Sequence, residues 1–162
     1  MSFRAGIGYD SHRFTAGKPL RLGGVVVPHT HGLAGHSDGD AALHAIVDAL
    51  LGAAALGDIG QHFADDDPQW KGMDSTVFCR RIREVLAAAG FEPNNVDVTI
   101  VCERPKLAAH IPAMREATAK ALGLTPAEVS YKAKTNEGMG SIGKGEGIAA
   151  IAMATVRSLP SP

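Results

Sequence analysis

A chain of 162 residues with a formal net charge of −1 suits one domain that buries a continuous core without disulfide or metal staples. Its basic residues are scattered, which argues against nucleic acid as the main partner. The two cysteines, Cys79 and Cys102, lack paired-motif spacing, residues 1–4 carry no signal-peptide apolar core, and the longest apolar stretch is far short of a membrane span; a cytoplasmic protein in a reducing compartment, with no membrane partner, is expected.

Residues 3–14 read as a strand, because Ala5, Ile7 and Tyr9 alternate with Arg4, Gly6, Gly8 and Asp10. Residues 20–28 predict a hairpin or short edge strands turning at Gly23-Gly24 and stopped by Pro28. His29 and His31 follow in a Pro-His-Thr-His-Gly loop and read as exposed. Gly35-His36-Ser37-Asp38-Gly39-Asp40 then crowds polar groups at the start of a helix over residues 41–56, where Leu43, Val47, Leu50, Leu51 and Ala54 form an apolar stripe and Asp38 or Asp40 is the N-cap. Gly57 is its expected C-cap. Asp65-Asp66-Asp67-Pro68 is an acidic loop, either a solvated segment or a lid over a polar ligand.

Asp74-Ser75 caps a second amphipathic helix through residue 89, with Val77, Phe78, Ile82, Val85 and Leu86 inward. Residues 96–103 alternate as a strand, residues 109–122 form a third helix ended by Gly123, and residues 129–135 form another strand. A glycine-punctuated loop from Asn136 to Gly147 precedes an apolar run at 148–156, where periodicity alone does not separate strand from helix; strand is chosen. The expected fold is α/β or α+β: a single domain over residues 1–162 with a mixed β-sheet and helices packed on one face.

The chemistry centres on Asp10, His12 and His44. Residues two apart on an extended chain point the same way, so Asp10 and His12 present oxygen and nitrogen to one point. Taken alone, His44 reads most simply as a half-buried histidine partnered by Asp48 one turn on; the second fragment makes it a third ligand. Two histidines and one aspartate leave a fourth tetrahedral position free, the ligand count of a catalytic zinc. Nitrogen ligands favour zinc over magnesium or calcium. Asp48 is then expected to orient His44 by accepting from its second ring nitrogen. His36-Ser37, Lys106, Lys132, Lys134, Thr135 and many glycines offer phosphate-binding parts. Glu137 adds a hard oxygen ligand suited to a phosphate-bridging magnesium or manganese.

Gly8-Tyr9-Asp10-Ser11-His12, Gly35-His36-Ser37-Asp38-Gly39-Asp40 with His44, Gly52-Ala53-Ala54-Ala55-Leu56-Gly57-Asp58-Ile59-Gly60, Lys132-Ala133-Lys134-Thr135-Asn136-Glu137 and Gly145-Glu146-Gly147 together resemble, in order, the motifs of the 2-C-methyl-D-erythritol 2,4-cyclodiphosphate synthase family. The resemblance implies a lyase of the non-mevalonate (MEP) route to isoprenoids. In that family 4-diphosphocytidyl-2-C-methyl-D-erythritol 2-phosphate closes on itself and releases CMP, in a homotrimer whose sheets face its centre and whose active sites lie between subunits. It implies zinc on Asp10, His12 and His44, and a second divalent ion on Glu137. His36 and Thr135 match positions that align phosphates or stabilise the transition state. Asp58 and Gly60 match contacts to the methylerythritol unit; Phe63, Asp65 and Asp67 belong to a substrate-side segment. Cys102, Pro105, Lys106, Leu107 and Ala108 match the surroundings of the cytidine, with Ser37, Lys134 and Asn136 also on the substrate. Ser141 stands where an aromatic residue is expected and Lys144 where arginine is common, both beside the trimer's central channel. A chain of this length is expected to be the cyclase without the preceding cytidylyltransferase. The rival readings are a zinc-dependent phosphohydrolase, which would activate water with the same metal, and a trimeric zinc or nucleotide-binding module without turnover.

Overall fold

The computed structural model describes residues 2–64 and 66–160. Its strands are β1 (Phe3–Thr15), β2 (Leu20–Leu22), β3 (Val25–Val27), β4 (Gly32–Leu33), β5 (Phe91–Val101), β6 (Val129–Lys134) and β7 (Gly147–Ser158). Its helices are α1 (Ala41–Ala54), α2 (Ile59–His62), α3 (Ser75–Ala88), α4 (Ile111–Leu122) and α5 (Gly140–Gly143). Five strands form one mixed sheet in the order β4-β1-β7-β5-β6, and only the β5–β6 pair in it is parallel. β2 and β3 pair as a separate hairpin, turned by Gly23 and Gly24 at φ 60° and 79°, values that a side chain disfavours. No helix is long and apolar enough to cross a membrane among the described residues.

The core lies between one sheet face and the helices. Leu43, Ile46, Val47, Leu50 and Leu51 of α1 meet Phe78, Ile82 and Leu86 of α3, Met114 and Leu122 of α4, and the inward residues Val96, Val98, Ile100, Ile148, Ala150, Ala152 and Ala154. α1 is buried nearly all round, so its periodicity understates its burial. Asp40, fully buried, is its N-cap: one carboxylate oxygen accepts from Leu43 N and Gly23 N, the other from Gly24 N at 2.7 Å. The cap therefore also clips the β2–β3 turn to the helix. At the other end the left-handed cap is Ala55, at φ 59°, not Gly57; the Ala55 and Leu56 amides return to Gly52 and Leu51 carbonyls, closing the helix two residues before the glycine.

β1 alternates as expected, but its apolar residues point away from the core. Gly6 and Gly8 face α1, while Ile7 and Tyr9 on the other side are 73% and 61% exposed. Ile151 and Met153 of β7 continue that outer apolar face. The glycines permit backbone contact with α1: a methyl group on Gly8 would lie 2.0 Å from the Ala45 carbonyl oxygen. β5 starts five residues earlier than the alternation of residues 96–103 indicates, across a register shift between Pro93 and Asn95 that breaks the pattern in the sequence.

Candidate metal and phosphate site

Because Gly6 and Gly8 bring β1 against α1, the next two residues on the same strand face, Asp10 and His12, reach past the first turn of α1 to His44. Asp10 Oδ2 stands 2.8 Å from His12 Nε2 and 3.0 Å from His44 Nδ1, and the two ring nitrogens are 3.3 Å apart. A tetrahedral ion with bonds of about 2.0–2.1 Å needs ligand atoms roughly 3.3 Å from one another, so the donor set suits zinc in type, with the two nitrogens at that spacing and the Asp10 oxygen ~0.3–0.5 Å closer to each. Burial opposes ionisation of Asp10, but hydrogen bonds and charge from His12 and His44 outweigh it and hold the carboxyl well below the usual range. Burial likewise disfavours a charged His12, and the Asp10 carboxylate overrides it, raising the imidazole pKa. The group is thus an anion packed against two nitrogens, an arrangement suited to a cation.

The triad opens on a cavity of about 220 Å³ whose wall includes His36, Ser37, Asp48, Gly60 and Phe63. Ser37 is buried and its Oγ lies 3.1 Å from His44 Nε2. His36 Nε2 is 3.2 Å from the Asp67 carbonyl oxygen, and the His36 carbonyl accepts from Gly72 N. The acidic loop is therefore tethered, more than its composition indicates: Phe63 stacks on Phe78 at 4.5 Å between ring centroids and Trp70 closes edge-on against both. Asp65 lies outside the described residues. Asp67 caps the turn at Pro68–Trp70, accepting from Gln69 N. Asp58 is the exposed N-cap of α2, accepting from Gln61 N.

One expectation is corrected. Asp48 does not accept from His44: its Oδ1 takes the Ile59 N–H at 2.7 Å, which anchors α2 and Gly60 to α1, and burial raises its carboxyl pKa. The His44 ring turns toward β1 on one side and α3 on the other, where Ser75 Oγ meets Nε2 at 2.9 Å. Ser75 and Asp38 read in the sequence only as capping residues, and Lys18, whose Nζ donates to the Gly35 carbonyl at 3.0 Å, carried no signal at all.

The remaining site residues gather elsewhere. Cys102, Pro105, Lys106, Leu107, Lys134 and Thr135 line a hollow of about 70 Å³ at the C-terminal ends of β5 and β6; Ala108 follows in a helical turn. The Cys102 thiol, 3.5 Å from the Pro105 carbonyl oxygen, is raised to about 11 by burial. Thr135 Oγ1 donates to Glu137 Oε1 at 2.7 Å, and Glu103 fixes the loop by accepting from Asn136 N. Glu137 sits at φ 51°. Lys132 pairs with Asp97 at 2.5 Å. Ser141 lines a third hollow against His12 and Arg13, with Lys144 exposed just beyond α5. In register, Ser11 pairs with Ala149, Ala149 with Val101, and Val101 with Lys134. The triad and Thr135 are thus level along the strands but three strand spacings apart, about 14 Å.

Comparison with known proteins identifies the family. The YgbB family matches residues 3–157. The 2-C-methyl-D-erythritol 2,4-cyclodiphosphate synthase of Salinibacter ruber is 55% identical over 155 residues, 96% of this chain and 99% of that protein. A solved 2C-methyl-D-erythritol-2,4-cyclodiphosphate synthase in a CDP-bound form is 38% identical with a TM-score of 0.86, covering 95% of this chain and all of the other. The bifunctional IspDF of Campylobacter jejuni is 36% identical with a TM-score of 0.93; 98% of this chain is covered, and it spans 43% of that longer one. With a family match across nearly its whole length and identities above one half, the chain belongs to the YgbB family, whose 2-C-methyl-D-erythritol 2,4-cyclodiphosphate synthases are lyases.

Proposed function

We propose that the protein closes 4-diphosphocytidyl-2-C-methyl-D-erythritol 2-phosphate to 2-C-methyl-D-erythritol 2,4-cyclodiphosphate with release of CMP, in the cytoplasmic non-mevalonate route to isoprenoids. The observation that carries this reading is the convergence of Asp10, His12 and His44 at the wall of a cavity bounded by His36 and Ser37. Asp10, His12 and His44 would hold zinc, which when bound supplies positive charge at a phosphoryl oxygen. The nucleophile is an oxygen of the 2-phosphate, already largely dianionic at neutral pH because its second pKa is about 6. It attacks the β-phosphorus, the bond from that phosphorus to the α-phosphate oxygen breaks, and CMP carries the electron pair away. No general base is required, so the residues have two tasks, alignment and charge stabilisation. His36 and Ser37 line the cavity as the groups that would align the phosphates, the Ser37 hydroxyl as a hydrogen-bond donor to a phosphate oxygen. Thr135 offers a neutral hydroxyl, and Glu137 a carboxylate for a second divalent ion, magnesium or manganese.

The separation of about 14 Å between Thr135 and the triad, three strand spacings, supports a site completed by a neighbouring subunit, since Thr135 and Glu137 would then reach another chain's zinc. The exposed apolar face of Ile7, Tyr9, Ile151 and Met153 supports a homotrimer in which these sheets pack about the centre. The CDP-bound relative supports a cytidine in the hollow around Cys102, Pro105, Lys106, Leu107 and Ala108, with Lys134 and Asn136 at its edge and Asp58 and Gly60 toward the methylerythritol. Phosphorus NMR of the purified protein with this substrate tests the reading: CMP and the cyclic diphosphate should appear together. Release of inorganic phosphate from simple esters instead would identify a phosphohydrolase.

A further inference from the structure

Two polar side chains behind the triad, Ser75 and Asp38, lie outside the cavity chemistry above and form a directed chain that ends on His44. Ser75 is fully buried at the first turn of α3. Its backbone N–H donates to Asp38 Oδ2 at 2.9 Å and its hydroxyl donates to Asp38 Oδ1, which also accepts from Asp40 N. A hydroxyl has one hydrogen. With that hydrogen on the Asp38 carboxylate, Ser75 Oγ has only lone pairs to present to His44 Nε2, 2.9 Å away. A contact between two acceptors is unfavourable in a buried place, so His44 Nε2 must carry its hydrogen and donate it. The unprotonated nitrogen of the neutral ring is then Nδ1, the one that faces Asp10 and His12.

We infer that Ser75 and Asp38 are positioning residues for the metal ligand His44: the Asp38 carboxylate orients the Ser75 hydroxyl, and Ser75 fixes the ring tautomer and rotation that point the Nδ1 lone pair into the triad. This rests on the reading that the triad holds zinc. Metal-binding histidines need a partner on the second nitrogen to set tautomer and orientation, and the Asp48 carboxylate, spent on Ile59 N, does not provide it. The arrangement also accounts for Ser37. Its oxygen is a second, longer acceptor for the same Nε2–H at 3.1 Å, which leaves the Ser37 hydroxyl hydrogen free to donate into the cavity.

The test uses the full-length, zinc-loaded protein and two readouts other than turnover. Nitrogen-15 histidine NMR should show a downfield, slowly exchanging ring proton on His44 Nε2, with Nδ1 metal-bound. In Ser75→Ala that proton should move upfield and exchange quickly, because Ser37 alone remains. Zinc affinity, measured by chelator competition on protein shown by circular dichroism to be folded, should weaken about 10- to 100-fold in Ser75→Ala. Asp38→Asn should weaken it as well, since an amide donating to Ser75 Oγ turns the hydroxyl hydrogen toward Nε2. His44→Ala separates the two readings. Zinc bound equally by wild type and His44→Ala overturns the zinc site, and this inference with it. Zinc lost in His44→Ala but bound by Ser75→Ala with wild-type affinity overturns the positioning role alone. Absence of the slowly exchanging Nε2 proton in the wild-type protein does the same without any variant.

Discussion

Replacing Gly8 by alanine tests how the fold makes the site. The added methyl carbon would stand 2.0 Å from the Ala45 carbonyl oxygen and 2.8 Å from Ala49 N, both backbone atoms of α1, whereas ordinary contact begins near 3.4 Å. Neither atom can rotate away, so helix and strand must part by about 1.4 Å along that line, the difference between 3.4 and 2.0 Å. Overpacking of this kind costs about 1–3 kcal/mol, or a melting temperature lower by roughly 2–12 °C at this chain length. The effect on zinc should be larger than the effect on the fold. Asp10 and His12 ride on the strand and His44 on the helix, and metal sites tolerate about ±0.2 Å in ligand distance. Zinc content measured by atomic emission after dialysis should fall to a minor fraction, and turnover about 10²-fold, the usual cost of a misplacement near 1 Å. Gly52→Ala is the matched control. It lies on the same helix with its nearest foreign atom, the Ile7 carbonyl oxygen, at 4.0 Å, and alanine should stabilise α1 by about 0.5–1 kcal/mol. A folded Gly8→Ala protein with full zinc and an unchanged melting temperature would refute the reasoning.

Light scattering should give three times the 16.8 kDa chain mass, and a fully active monomer would exclude a shared site. Thr135→Val should lose about 10²- to 10³-fold in rate at normal zinc content, with no recovery at high magnesium, whereas Glu137→Gln should recover partly; equal responses across a magnesium titration would contradict the division of roles. Asp48→Ala should leave zinc content unchanged and raise KM, because it frees Ile59 N and loosens α2; loss of zinc would restore Asp48 as a partner of His44. Asp74 caps α3. Burial raises its carboxyl pKa, but hydrogen bonds from Thr76 and the charge of Arg21 lower it below the ordinary 3.8. A depressed folded pKa means a contribution complete above that value and lost as pH falls through the folded one, so Asp74→Ala should cost about 1 kcal/mol at neutral pH and progressively less in acid, read from urea melts at several pH values.

How much of this was legible follows from the range of each interaction. The helices at Ala41–Ala54 and Ser75–Ala88 follow from apolar repeats with an aspartate before each, a signal contained within one element. The Asp10 and His12 pairing is equally local, set by the period of two in a strand. Spacing of four residues placed Asp48 beside His44, yet that rule fixes only which residues are neighbours on a helix, not which way a ring turns when a strand and a second helix offer better partners. Ser75 lies 31 residues from His44 and Trp70 meets Phe63 across the acidic loop. Contacts of that kind are made by the packing of α3 on α1, which no window of sequence contains. The outward direction of Ile7 and Tyr9 was hidden for a related reason: glycines, not large apolar residues, mark the face that α1 covers.

The place of β7 in the sheet bears on how the protein is made. It lies between β1 and β5, pairing with Phe3 to Arg13 on one side and Phe91 to Val101 on the other, although more than a hundred residues separate it from β1 in sequence. Long-range pairing of this kind folds slowly. Until β7 docks, β1 and β5 each present an open edge flanked by apolar side chains, and such edges recruit other chains. A ribosome-bound chain that ends before Gly147 therefore holds Asp10 and His12, two of the three proposed metal ligands, on a strand with no β7 beside it. Chaperone binding to that intermediate should matter more for yield than the stability of the finished protein, and metal insertion should come after the last strand rather than guide the first.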